Sequence, residues 1–257
     1  MHIKYTGLKK TYKYAADRER AECDMTHQSI CTFLSSAELQ LFDERKSCLF
    51  FGKGQRIFSE GGFPLGIYCI DSGKVKLEHK GEEGKMQIVR LAKAGNIIGY
   101  RALFCNEQYN ASAVALEDVH ICFIPKDAFS RVLQENNRLC LHFIRLLAED
   151  LRRAEDYLTE LAQKPVRERM AKALLSLRET YGVEEDQATI NIALTREELA
   201  DIVGTATETA IRLLSEFRNE GMVAFVGKKI KMLNLPRMIR TARSYQAELA
   251  FFSHTRL

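Results

Sequence analysis

The spacing of apolar residues changes along the chain, and each change marks a new element. Residues 1–30 are polar and basic with few apolar anchors, which predicts a loosely held arm. The segment SSAELQLF, Ser35 to Phe42, predicts a short helix capped by a serine. From about Cys48 to Pro125 the runs shorten: IYCI, KVKLEH, MQIVRLA, NIIG, ASAVAL and HICFI are separated by glycine-bearing turns such as DSG, KGEEGK and KAG. Short strands punctuated in this way predict an antiparallel barrel or sandwich. No long helices alternate with them, as a parallel α/β domain would require. A helical period then takes over from about Leu139 to Ala162. Ile144, Leu147, Leu151, Ala154, Leu158 and Leu161 recur at spacings of three and four, amid charged Glu149, Asp150, Arg152, Arg153, Glu155, Asp156 and Glu160. A seam this narrow predicts a parallel two-stranded coiled coil, and so a homodimer; a helix lying on its own domain is the alternative.

Pro165 breaks that helix. Val166 to Tyr181 predicts another, with Met170, Ala173, Leu174 and Leu177 on one face. EEDQ, Glu184 to Gln187, is a solvated loop, and TINIAL, Thr189 to Leu194, reads as a strand. Next comes TREELADIVGTATETAIRLLSEF. Thr195 with Glu198 forms one capping box and Thr205 with Glu208 a second, with Gly204 as the turn between two helices. Leu199, Ile202, Val203, Ala210, Leu213, Leu214 and Phe217 share an apolar face, and Ala200 is small where the helices would cross. Two helices joined this way make a helix-turn-helix, whose second helix enters the DNA major groove. GMVAFVGKKIKML then reads as strand, turn, strand: a β-wing whose Lys228, Lys229 and Lys231 can meet phosphates, as can Thr195 and Arg196 at the start of the first helix. Arg237, Arg240 and Arg243 add positive charge. A helical hairpin with no DNA role is the alternative.

Composition narrows the class without changing it. The 257 residues are 46% hydrophobic and 28% charged, with net charge +4 and a sequence pI near 8.6, which allows an anionic partner without demanding one. No run of 18 apolar residues occurs, and the N-terminal charges are followed by no apolar block, so neither a membrane span nor a secretory signal is expected. Seven irregularly spaced cysteines predict reduced thiols in a cytoplasm rather than a disulfide framework. G-x-S-x-G, H-E-x-x-H and phosphate-loop motifs are missing, so no enzyme is predicted.

The order of barrel, long helix and winged helix-turn-helix resembles the CRP/FNR transcription regulators. The resemblance is carried by IYCIDSGKVKL, LAKAGNIIGYRALF, ALEDVHICFIPKDAF and TREELADIVGTATETAIRLLSEFRNEGMV, about Phe50 to Leu235. It implies an α+β chain: a cupin-like β-barrel or jelly-roll sensor over residues 31–137, a dimerisation helix over 138–164 and a DNA-binding unit over 165–257. It implies binding to double-stranded DNA as a dimer, with RNA polymerase as a further partner. Base reading would fall to Thr205, Thr207, Glu208, Ile211 and Arg212. Arg212 would fork onto guanine and Glu208 would accept from cytosine, within a TGA-like half-site. Relatives carry an arginine at the position of Thr207 or a serine at that of Ile211, so the operator cannot be copied from either branch.

The sensor is less legible. By resemblance the effector segment is Gly99, Tyr100, Arg101 and Ala102, with Tyr109 and Asn110 further on. Tyr100 stands where cyclic-AMP binders carry a ribose glutamate. Tyr109 and Asn110 stand where they carry the phosphate arginine and serine. A buried phosphate without an arginine is costly, so cyclic AMP is not the expected ligand, and another small anion or polar metabolite is. Cys122 matches the barrel cysteine of iron–sulfur members, but Cys23, His27 and Cys31 lack their close N-terminal pairing; zinc or a cluster on this set is a second option. Haem on His79 or His120 is a third. A signal at the barrel would act through the long helix around Ile144 to Leu158 and reset the separation of two winged domains.

Overall fold

The computed structural model describes residues 30–82 and 84–243. A capped helix α1 (Ser36–Arg45) precedes eight strands: β1 (Ser47–Phe51), β2 (Arg56–Phe58), β3 (Gly66–Ser72), β4 (Lys74–Lys80), β5 (Met86–Lys93), β6 (Ile97–Ile98), β7 (Ser112–Ala115) and β8 (Val119–Pro125). Between β6 and β7 lies a short helix α2 (Tyr100–Cys105). The strands form two four-stranded antiparallel sheets, ordered β1-β8-β3-β6 and β2-β7-β4-β5. That interleaved order is a jelly roll. It is a sandwich of two open sheets and not a closed barrel. Ile57, Ile70, Val75, Leu77, Ala113 and Ile121 come from both sheets and share one core. Short β-rich runs between glycine-bearing turns made all of these strands but β2 legible in the sequence.

The other face of the first sheet is covered by helices. α3 (Lys126–Glu135) and the root of α4 (Asn137–Gln163) bring Phe129, Leu139 and Phe143 onto Ile67, Cys69, Cys122 and Ile124. Phe129 meets Phe143 edge-on at 5.1 Å. α4 is one continuous helix capped by Asn136, whose side chain accepts from the Leu139 amide. Its 27 residues carry too many charges for a bilayer, and among the described residues no helix is long and apolar enough to cross a membrane.

α5 (Val166–Tyr181), α6 (Arg196–Val203), α7 (Thr207–Asn219) and the hairpin β9 (Val223–Val226)–β10 (Lys229–Met232) pack around Met170, Leu174, Leu199, Leu213 and Phe217. TINIAL is not a strand: the segment makes only isolated bridges, Val183 with Ile190 and Thr189 with Lys231. This unit rests on the β4–β5 hairpin. Leu91 and Leu116 join its core, and Lys76 on β4 lies 2.9 Å from Glu198 at the start of α6. Gln87 on β5 donates to Tyr157 on α4 at 3.1 Å and to the Asp201 carbonyl on α6.

Candidate nucleic-acid interface

Helix α6 starts as its sequence dictates. The Thr195 hydroxyl accepts from the Glu198 amide at 3.1 Å, and Glu198 accepts from the Thr195 amide at 2.8 Å. Glu198 also holds Lys76, so one carboxylate both caps the helix and ties it to the second sheet of the jelly roll. Burial alone would raise its pKa; the Thr195 amide and Lys76 outweigh that and hold it below the ordinary glutamate value of 4.5. A carboxyl depressed on folding contributes stability above its unfolded pKa and loses it as pH falls through the folded value. Acidification below about pH 4.5 should therefore destabilise the wild type more than Glu198→Gln. Unfolding midpoints of both proteins at about pH 7 and about pH 4 test this; equal losses would remove Glu198 from the latch.

Gly204 ends α6 with φ +69°. A Cβ there would stand 2.8 Å from Leu161 Cδ2 and 3.0 Å from the Tyr157 hydroxyl, so both conformation and contact demand glycine. Arg169, which no sequence pattern singles out, fastens this corner. Its guanidinium donates to the carbonyls of Leu161 at 3.3 Å and Lys164 at 3.0 Å on one side, and of Val203 at 3.2 Å and Gly204 at 3.2 Å on the other. One side chain thus satisfies the C-terminal ends of α4 and α6 together. Its acceptors are backbone groups of other elements, which leave no mark in the local pattern.

The second capping box does not form. α7 begins at Thr207 with Ala206 as its N-cap and no side-chain cap, because Gly204 to Ala206 are spent on the turn. Thr205 instead donates its amide to the Ala200 carbonyl at 3.0 Å. Thr207 opens the helix, and Glu208, Ile211 and Arg212 lie on its outward face, one turn apart. Ile211 is 47% exposed, a large apolar side chain held in water. Arg212 points outward and is paired with Glu216 at 2.6 Å. Ser215, four residues past Ile211, donates its hydroxyl to the Ile211 carbonyl at 2.9 Å.

The expected phosphate contacts divide. Lys228 sits exposed at the wing tip. Lys229 and Lys231 are ion-paired with Glu184 and with Asp186 (3.1 Å), both in the loop read as merely solvated. Arg196 stacks over Phe225 at 4.2 Å, and burial lowers its pKa. Arg237 is paired with Glu220 at 2.6 Å, while Arg240 and Arg243 are exposed.

The residues of the expected α4 seam divide within the chain. Ile144, Leu151, Ala154 and Leu158 are exposed, but Leu147 packs on the sheet-covering cluster and Leu161 leans towards Gly204. Leu141 and Ala162 are exposed as well.

In the jelly roll, Gly99 adopts φ +86° and turns the chain into α2, burying Tyr100. The Tyr100 hydroxyl donates to Asp150 of α4 at 2.6 Å and accepts from Arg90 at 3.1 Å. Burial raises its pKa, with Arg90 opposing. Tyr109 is buried and stacked on Phe58 at 4.0 Å; burial, then the neighbouring Tyr68, pushes its phenol well above the ordinary value. Arg101, Ala102 and Asn110 line the same cavity, whose accessible space is about 20 Å³, the size of a water site. His79 Nδ1 lies 2.9 Å from the Asn110 carbonyl and His120 Nδ1 3.1 Å from Ser72 Oγ. Cys31 and Cys122 are buried in one cluster; Cys23 and His27 lie outside the described residues, among which no three donors gather as a metal site.

The profile of the cyclic nucleotide-binding domain matches residues 48–136, and that of the Crp-like helix-turn-helix domain matches 168–241. The chain is 29% identical over 194 residues to the CRP-like cAMP-activated global transcriptional regulator of Mycobacterium tuberculosis, covering 75% of this chain and 87% of that one. It is 26% identical over 219 residues to the nitrogen fixation regulation protein FixK of Bradyrhizobium diazoefficiens, covering 85% and 91%. A crystal structure of a CRP/FNR-family transcriptional regulator from Thermus thermophilus superimposes with a TM-score of 0.62 at 30% identity, over 77% of this chain and 98% of that one. A jelly roll latched through its β4–β5 hairpin to a winged helix-turn-helix, with these relatives, places the chain in the CRP/FNR family of DNA-binding transcriptional regulators.

Proposed function

We propose that this protein is a cytoplasmic homodimer that binds a pseudo-palindromic operator, under control of a signal received at the jelly roll, and works with RNA polymerase. The observation that carries the reading is the outward row Glu208, Ile211 and Arg212 on α7, beside a wing with Lys228 at its tip. Arg212 forks onto guanine O6 and N7, Glu208 accepts from cytosine N4, and Ile211 meets a thymine methyl. Thr195 stands at the start of α6 where a phosphate is met, while Thr207 opens α7 beside the base-reading row and Thr205 lies in the turn before it. Lys229 and Lys231 reach phosphate by exchanging their carboxylate partners, and Arg196 by leaving Phe225. The signal route runs through Tyr100, whose single hydroxyl joins the effector segment to Arg90 and to Asp150 on the long helix. Tyr100, Arg101, Tyr109 and Asn110 line the cavity a small polar effector would open.

Arg212→Ala should weaken binding to the preferred operator by roughly tenfold to a hundredfold, about 1–3 kcal/mol, and leave affinity for random duplex DNA nearly unchanged. Fluorescence anisotropy on operator selected from a random library measures both. Equal losses on specific and random DNA would reduce Arg212 to a phosphate contact.

A further inference from the structure

Strand β1 lies at the edge of the first sheet, and its Cys48 stands directly opposite Cys122 on β8, which stands opposite Cys69 on β3. Directly opposed residues project to the same face, so three sulfurs form a row across three neighbouring strands. That face carries the helices: Cys69 and Cys122 are fully buried in the cluster that holds Phe42, Leu139 and Phe143. Cys48, at the open edge, is exposed. All six cysteines among the described residues are thiols. Lys46, two residues before Cys48, brings a cation to the row. Burial pulls its pKa down, but the Asp43 hydrogen bond and the Cys122 and Cys48 sulfurs outweigh this and raise it.

The geometry points to Cys48 and Cys122 as a modification site for hydroperoxides, closing to a cross-strand disulfide. Opposed Cα atoms in an antiparallel pair lie about 4.5–5.5 Å apart, inside the range of about 4.4–6.8 Å that a disulfide spans. Their Cβ atoms start at about 4.5–5.5 Å and must close to about 3.5–4.5 Å, a movement an edge strand can make. The exposed Cys48 thiolate attacks the peroxide: the S–O bond forms, the O–O bond breaks, and the leaving oxygen takes a proton to depart as water or an alcohol. Cys48 is then a sulfenic acid. The Cys122 sulfur attacks that sulfur as its thiol proton is given up, the S–S bond forms, the S–O bond breaks, and the oxygen takes up a proton and leaves as water. Two thiols lose two electrons and the peroxide gains them. Cys69, directly opposite Cys122 but buried, lacks the access that Cys48 has.

The test uses the full-length protein, reduced, desalted and treated with stoichiometric hydrogen peroxide. Remaining thiols are then alkylated and tryptic peptides analysed by mass spectrometry. Cys105 shares the tryptic peptide of Cys122, so the Cys105→Ser variant is run in parallel. We expect loss of two of the seven thiols, a Cys48–Cys122 linkage retained in Cys105→Ser, and its reversal by dithiothreitol. Cys48→Ser, at an exposed position, should fold normally and abolish the linkage. Oxidation of Cys48 to sulfinic acid without a bridge, a Cys69–Cys122 bridge, or links only between chains would each overturn the assignment.

Discussion

Replacing Arg169 with alanine is expected to lower the unfolding midpoint clearly and to cost operator affinity at least about tenfold, although Arg169 is assigned no DNA contact. The guanidinium holds four carbonyls, two from the end of α4 and two from the end of α6. Hydrogen bonds to a charged donor contribute about 1.5–3 kcal/mol each at best, and a partly buried carbonyl left without a donor retains its desolvation cost. A net loss of about 2–3 kcal/mol follows if water re-solvates most of them. Affinity falls with stability because the same bonds fix α6, and through it α7, against the long helix. Arg169→Lys should not restore either property, since a single ammonium cannot bridge two pairs of acceptors in a plane. Thermal unfolding and anisotropy on both variants decide the matter. An alanine variant with wild-type midpoint and affinity would mean that the corner is held by packing alone.

Leu151→Glu should convert the protein into a monomer at micromolar concentration. Leu151 is 62% exposed and Leu158 65%, so neither side chain has a partner in its own chain large enough to cover it. Burying a leucine is worth about 1.5–3 kcal/mol, and a two-fold seam counts each substitution twice. Glutamate at this position would also face its own copy. Because the residue is exposed within one chain, the variant should fold with an unchanged midpoint at high dilution, which separates lost assembly from lost folding. Light scattering should report half the wild-type mass, and operator affinity should fall by more than that of Arg212→Ala, since each half-site then binds alone. A variant that stays dimeric would move the interface off this stripe.

These two positions show what the sequence reveals and what it hides. Leu151 was legible because an apolar residue at a recurring interval breaks an otherwise charged pattern. Leu147 packs on the jelly roll and Leu161 reaches Gly204, contacts within the chain that a run with spacings of three and four does not encode. The local pattern also misled at the start of α7. Thr-x-x-Glu is satisfied locally at Thr205, yet the left-handed Gly204 must be followed by further turn residues before the new helix axis is reached. Strands β3 to β8 were legible from short β-rich runs and glycine turns, whereas α2 and α3 were not read: α2 is a single apolar turn and a half, and the amphipathic face of α3, Ala128, Phe129 and Val132, spans only ten residues beside a long strand-rich stretch. Arg169 and the partners of the wing lysines were invisible for one reason. Their interactions join segments distant in sequence, and nothing in the local composition encodes the meeting.

The ring of Tyr109 on Phe58 has a consequence for any effector. A molecule entering that cavity competes with part of the protein itself, because the space it needs is already occupied by a stacked phenol. Its apparent dissociation constant is the intrinsic one divided by the fraction of time the ring stands aside. A pocket kept shut by its own side chain therefore shifts the whole response to higher concentration, and changing the Phe58–Tyr109 stack would move that response along the concentration axis as well as reshape the cavity wall.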